Sequence, residues 1–241
     1  MTPRTTRATP NPSPVTDPAL IQRVLGVGLL AGLAAGLAIA ALQHVTTTPL
    51  ILAAEVFETA QHAAHGETEA APWSGLARTG VTSVAAVSVC AGYALLLLAG
   101  MLAAGEKIDA RSAVLWGACA FAAAGLATGL GLAPQLPGAA ESDLHGRQIW
   151  WFATAAATAA GLFALLRLDG LAPRLFGLAA IVLPHLFTPL PAAPESTAPA
   201  ELAARFAAAS LGVQAVSWVL AGAFAGGLWA LFEQREKKDA A

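Results

Sequence analysis

Charge is what this chain has least of. Asp, Glu, Lys and Arg make up only 12% of its 241 residues, hydrophobic residues make up 56%, and the mean hydropathy is +0.63. A soluble domain carries about 25% charge, so most of this chain has no need of water, and an integral membrane protein is expected. Cysteine is almost missing: Cys90 and Cys119 fall in apolar runs and form no CxxC pair, which excludes a disulfide framework and leaves the redox compartment unread. Nucleotide and hydrolase signatures are missing too. No GxxxxGK[ST] is present, so this chain holds no ATPase, and no HExxH, GxSxG or GxGxxG occurs in a usable context. The inward-facing Glu-x-x-His pairs of di-iron bundles are absent. No basic cluster interleaved with aromatics suggests nucleic acid. The apolar runs are continuous and rich in Ala and Leu rather than alternating, which argues against a β-barrel. Neither an enzyme nor a resident cofactor is expected.

What is there is a series of apolar runs. Each helical crossing takes roughly 20 apolar residues, and the runs at 24–42, 79–103, 112–132, 149–166, 175–190 and 206–232 give six. The expected fold is an all-α bundle of about six transmembrane helices over 24–232. Residues 1–23, rich in Thr and Pro, read as a disordered tail, and 233–241 as a second tail. Ala38-Ile39-Ala40 resembles a signal-peptidase site. The run is long, however, and Gly28, Gly32 and Gly36 recur at four-residue spacing, a ridge that lets a second helix approach closely. Trp150 and Trp151 open the fourth run and are expected at a membrane interface. The fifth run is short and broken by Pro184, beside His185.

Counting basic residues gives a direction. Arg4, Arg7, Arg23, Lys107, Arg111, Arg167, Arg174, Arg235, Lys237 and Lys238 fall on one side of a six-span arrangement, and Arg78, Arg147 and Arg205 on the other. Ten against three places both termini in the cytoplasm by the positive-inside rule. All five histidines, His44, His62, His65, His145 and His185, then lie on or near the non-cytoplasmic side. Asp143 and His145, two apart on a loop, read as solvated.

One stripe stands out. Glu55, Glu58, His62, His65 and Glu69 follow at offsets of three, four, three and four, within roughly an 80° arc of a helix. Carboxylates and imidazoles are the ligands that hold a divalent transition metal. A second reading stays open: the stripe is the solvated face of an amphipathic helix lying on the outer surface, with Leu50, Ile51, Ala54 and Phe57 beneath it. Two things favour metal: no Lys or Arg within the stripe balances its carboxylates, and the two histidines are spaced to share one ion. His185 is a pathway candidate, because an ionisable group in a broken membrane helix lines a cavity by default, and proline frees a carbonyl there. Its rival reading is a hydrogen-bonded structural residue. His44, at the outer end of the first run, is expected to face the same cavity.

Several stretches, in order and at comparable spacing, resemble the CbtA family of predicted cobalt transporter subunits of bacterial inner membranes. They are Pro49–Glu58, Gly75–Thr79, Gly131–Pro137, Asp143–Trp151, Leu183–His185, Pro194–Ser196 and Ala203–Leu211, and the similarity spans roughly 24–232. Each piece alone is weak, and together they are specific. The resemblance implies cobalt movement linked to cobalamin supply, and a companion, CbtB, a small single-span protein with a histidine-containing segment. By it, Glu55, Glu58, Arg147, Gln148, His185, Glu195 and Arg205 occupy family-motif positions.

The expected function is therefore a permease subunit for divalent cobalt in the bacterial inner membrane. Glu55, Glu58, His62 and His65 would capture the ion outside, and His185 with His44 would receive it within the bundle. These ligand types suit Co2+, Ni2+ and Zn2+ alike. Ligands must be deprotonated, so uptake would weaken as external pH falls through the ordinary histidine range. With no ATPase motif, the drive would be membrane potential, a proton gradient or a partner. A divalent ion moving inward gains about 4.6 kcal/mol per 100 mV. The alternatives are a membrane-embedded metal sensor or assembly factor that binds without conducting and, least of all, an intramembrane metalloenzyme.

Overall fold

The computed structural model describes residues 17–64, 75–140, 142–191 and 196–239, and over 61–64 the backbone alone. Seven helices account for nearly all of them: α1 Pro18–Val45, α2 Thr47–Ala64, α3 Gly75–Ala103, α4 Ala110–Gly131, α5 Leu144–Arg167, α6 Leu171–Phe187 and α7 Ala200–Asp239. The sole β feature among the described residues is an isolated bridge between Ala139 and Ser196. Five of the helices, α1, α3, α4, α5 and α7, are long and apolar enough to cross a membrane, and α6 is a shorter apolar helix. The chain is an all-α membrane protein.

Small residues set the packing. A Cβ on Gly32 would fall on the backbone of Ala91, one on Gly36 on that of Val87, and one on Gly28 on the side chain of Leu95. The glycine ridge therefore finds its partner in α3. As the α1 number rises the α3 number falls, so the two helices run antiparallel at close approach. Gly226, Gly222 and Gly117 do the same between α7 and α4, against Asp109, Ala113 and Trp218 in turn. Gly161 and Gly177 weld α5 to α6. Between α1, α3, α4 and α7 lies the main core, with Val27, Ala31, Leu98, Met101, Ala221 and Ala225 at its centre.

Helix ends follow local chemistry. Asp17 caps α1, accepting from Ala19 N at 3.0 Å, and Pro18 suits a first-turn position because it needs no N–H partner. The helix thus begins six residues ahead of the apolar run, so residues 18–23 are helical where a disordered tail was expected. Asp109 and Ser112 form a capping box on α4. The Ser112 backbone N–H, foremost, holds the Asp109 carboxyl below the usual carboxylate range. Pro184 has no N–H to give, and α6 tightens into a 3-10 turn over Leu183–Phe187.

The start of α1 and the end of α7 meet at one end of the bundle. Near the start of α1, Arg23 pairs with Glu236 at 3.1 Å, donates to the Trp229 carbonyl at 3.1 Å and lies over the Trp229 ring, all near the end of α7. This proximal end also holds the ion pair of Arg167 with Glu106. Above that pair, an apolar cleft of about 580 Å³ separates α4 from α5, lined in part by Leu115, Trp116, Leu162 and Phe163. The opposite, distal end carries α2 and the sequence motifs.

Candidate functional site

Across the distal end, α2 turns its acidic side inward. Ala54 is fully buried against Leu136 and Ala198, with Ile51 beside it, while Leu52, Val56 and Phe57 are exposed. At 100° per residue, Glu55 and Glu58 share the side of Ile51 and Ala54, and both are half-buried. The solvated-face arrangement is corrected here: Ile51 and Ala54 belong to the acidic side, and Phe57 lies outside it. In a chain surrounded by hydrocarbon, apolar side chains belong outward and polar ones toward protein.

Glu55 is not left unbalanced. Arg78, in the first turn of α3, grips its carboxylate with both guanidinium nitrogens, at 2.7 and 3.1 Å. The side chains are 25% and 31% exposed for Arg78 and Glu55. The expected lack of a balancing cation is thereby overturned for Glu55: the counter-charge comes from the next helix, 23 residues on. A small polar cavity of about 30 Å³ adjoins the pair, lined by His44, Thr48, Arg78, Thr79, Thr82 and Ser83. It has room for a water. His44 and Glu55 thus share a neighbour in Arg78.

A forked pair at this depth sits between a surface ion pair and a buried one. In a double-mutant cycle, Glu55→Gln with Arg78→Met should give a coupling of about 1–2 kcal/mol. The Arg78→Met single variant should be the worst of the three, since it strands a carboxylate. Denaturation in detergent would measure it, and additive single-variant effects would show the pair to be idle.

Deeper in the bundle, His185 is held on several sides. Its Nε2 lies 2.9 Å from the Ala127 carbonyl of α4. Because a carbonyl only accepts, Nε2 carries a proton here and serves as the donor. Metal-binding histidines commonly anchor their other nitrogen on a carbonyl in this way. The Trp150 ring stands edge-on to His185, 6.0 Å between centroids, and its Nε1 donates to the Pro184 carbonyl at 2.8 Å. Thr188 Oγ1 donates to the His185 carbonyl at 3.0 Å. Trp150 is only 6% exposed, so it is a packing and hydrogen-bonding residue rather than the interface anchor expected of it. Trp151 beside it is exposed.

Ala127 closes a π-helical turn, Ala122–Ala127, inside α4. Such wide turns occur mostly as single insertions and frequently at functional sites. Thr128 Oγ1 donates back to the carbonyls of Ala124 and Gly125 at 2.9 and 3.2 Å, holding the turn. A cavity of about 410 Å³ opens on it, with Gly125, Thr128, Gln135, Arg147, Gln148 and Gln214 among its walls. Arg147 donates to Gln135 Oε1 at 3.3 Å across its mouth. Asp143 is exposed, as a solvated loop residue should be, and it also caps α5 by accepting from Gly146 N at 2.7 Å.

The nominated ligands fall into two neighbourhoods. Glu55 and His44 lie around Arg78, with Glu58 three residues on along α2, and His185 lies between α4 and α5. His62 is on α2, with its side chain among those not described, and His65 and Glu69 lie outside the described residues. Among the described residues no three of His, Cys, Asp and Glu converge to hold a metal ion.

Residues 21–230 match the family model described as "Probable cobalt transporter subunit (CbtA)". The chain belongs to the CbtA family. No curated protein and no solved structure matches it. The CbtA match embraces both neighbourhoods, α2 with Arg78 and the α4–α6 junction with His185, together with all five long apolar helices for most of their length. As a transporter subunit by family, a CbtA chain implies a partner. Sequence reasoning missed Arg78 as a counter-ion, Trp150 as the brace of His185, and the π turn. Arg78 and Trp150 both stood in the quoted motifs; the Ala-rich π turn carried no signal.

Proposed function

We propose that this CbtA-family chain is a six-span permease subunit that moves divalent cobalt, or a similar transition metal ion, inward across the bacterial inner membrane. The observation that carries the reading is His185: an imidazole fixed through Nε2 on a backbone carbonyl, so that Nδ1 would be the nitrogen to bind a cation, inside a chain of a cobalt-transporter family. Capture would begin at Glu58 with His62 and His65, because Glu55 is released only when Arg78 moves away. His44 would take part at the same level, and His185 would receive the ion deeper.

Parity supports six crossings. The start of α1 and the end of α7 lie together at the proximal end, so the number of crossings between them is even, and five long helices call for α6 as the sixth. The antiparallel pairing of α1 with α3 returns α2 to the distal side without a crossing. Ten basic residues against three make the proximal side cytoplasmic. No catalytic step is needed, and the single-span CbtB protein is the proposed partner.

The test is cobalt flux in proteoliposomes, with and without that partner. Glu58→Ala and His62→Ala should each slow flux by about tenfold, the loss expected from a missing interaction of roughly 1.4 kcal/mol. Protein that binds cobalt and passes none into the vesicles, partner present, would replace the permease with a sensor or assembly factor.

A further inference from the structure

The apolar cleft between α4 and α5 has no part in the route proposed above, and its shape follows from the packing. Gly117, Gly222 and Gly226 hold α4 against α7, while Gly161 and Gly177 hold α5 against α6. Glycines thus draw the two helices into different pairs, and α5 meets α4 mainly at the π turn. Toward the proximal end they part, leaving about 580 Å³ between walls that include Leu115, Trp116, Leu162, Phe163 and Leu166. Leu115, Phe163 and Leu166 are each more than half exposed, so the cleft is open along its side. In a chain that lies in a membrane, that opening faces hydrocarbon.

Depth and charge say what fills it. The α4 wall runs from Ser112 at the proximal end to Ala123 in the π turn, about 16 Å of helix. That is one leaflet of a hydrocarbon core about 30 Å thick. A partner helix would cross the whole membrane and meet this chain through small residues; the cleft stops halfway, and its exposed rim is bulky. The shallow end is charged. Arg167 and Glu106 line it as an ion pair, with Arg167 half exposed. Arg111 stands one turn before Leu115, exposed, and has no ion-pair partner among the described residues. The loops that frame the mouth, 106–111 and 167–174, hold four basic residues against three acidic ones. Two of those acids, Glu106 and Asp109, are already answered by Arg167 and Lys107. A ligand seated at this mouth therefore gains from a negative charge.

We infer that this cleft binds an anionic phospholipid, with an acyl chain laid between α4 and α5 and the phosphate at Arg167 and Arg111. Basic pockets between membrane helices take acidic headgroups in this way, and each basic residue near the surface favours an anionic lipid about fivefold. The acyl chain supplies the contacts that Trp116 and Leu162 do not find across the cleft. The site rests on the membrane fold and not on which ion the chain moves.

Quenching of tryptophan fluorescence tests it on the full-length chain in phosphatidylcholine vesicles. A small share of the lipid carries bromine on its acyl chains, as phosphatidylglycerol in one set and as phosphatidylcholine in the other. Bromine quenches an indole only at short range, and the Trp116 signal is that of wild type less that of Trp116→Phe. The expected result is a preference of about fivefold at Trp116 for the brominated phosphatidylglycerol. Arg111→Gln, joined with Glu106→Gln and Arg167→Gln so that no carboxylate is stranded, should bring the two lipids to parity. Ala159 is exposed in the α5 wall, and Ala159→Leu should fill the cleft and abolish quenching by either lipid. Equal quenching by the two lipids in the wild-type chain shows ordinary contact with the bilayer and overturns the inference. No quenching by either shows the cleft covered by protein, a second copy or a partner helix, and overturns it too. A preference that survives the arginine variant overturns the headgroup site.

Discussion

Gly32→Leu is expected to leave almost no folded protein in the membrane. A Cβ at that position falls on the Ala91 backbone, which cannot turn aside as a side chain can. Seating a leucine would push α1 off α3 along the whole interface, so the close contacts at Gly28 and Gly36 would go with it. Overpacking a tight core costs 1–3 kcal/mol and occasionally more. Here the helices meet backbone to backbone without a hydrophobic drive to hold them, and a loss of roughly 3 kcal/mol or more is expected. A graded series makes the case sharp. Gly28→Ala meets only the Leu95 side chain and should cost less than Gly32→Ala or Gly36→Ala. Gly92→Ala, with nothing within 4 Å, should be neutral or stabilising. Folded yield and melting temperature in detergent would rank the series, and a Gly32→Leu protein as stable as wild type would refute the packing.

His185→Ala should reduce cobalt uptake by about tenfold or more, as loss of a ligand interaction worth roughly 1.4 kcal/mol requires. It should also destabilise the junction of α4 and α6, since the Ala127 carbonyl would lose its donor, at about 1–3 kcal/mol. His185→Gln separates these effects. An amide N–H can still serve the Ala127 carbonyl, and no imidazole lone pair remains for a cation. Stability near wild type with uptake as poor as His185→Ala would mark His185 as a ligand. Wild-type uptake by the Gln variant would leave it a structural hydrogen bond and nothing more.

Much of the fold was legible because it follows from local patterns. Apolar runs mark helices whatever they pack against, and the spacing of Gly28, Gly32 and Gly36 announces a close neighbour without naming α3. The antiparallel ridge on α4 and α7 was less visible, because Gly117 lies on one helix and Gly222 and Gly226 on another, far away in the sequence. At the site, spacing found the acidic side of α2 and the break at Pro184. It misjudged the company those residues keep. Arg78 was counted as a topological charge, and nothing within α2 could show that it reaches back to Glu55. Trp150 looks like an interface residue by composition, and only its bond to the Pro184 carbonyl reveals it as a brace. The π turn lies in a run of Ala and Gly with no distinguishing side chain, so backbone geometry alone discloses it.

The clasp at Arg23 has a consequence for how this molecule comes apart. With the first turns of α1 bound to the last turns of α7, the run of helices is nearly a closed ring, fastened by a guanidinium wedged between an indole and a carboxylate. Neither of these turns can fray without the other. A machine that pulls on α1 or on α7 must first unfasten that buckle, and doing so releases both helices at once.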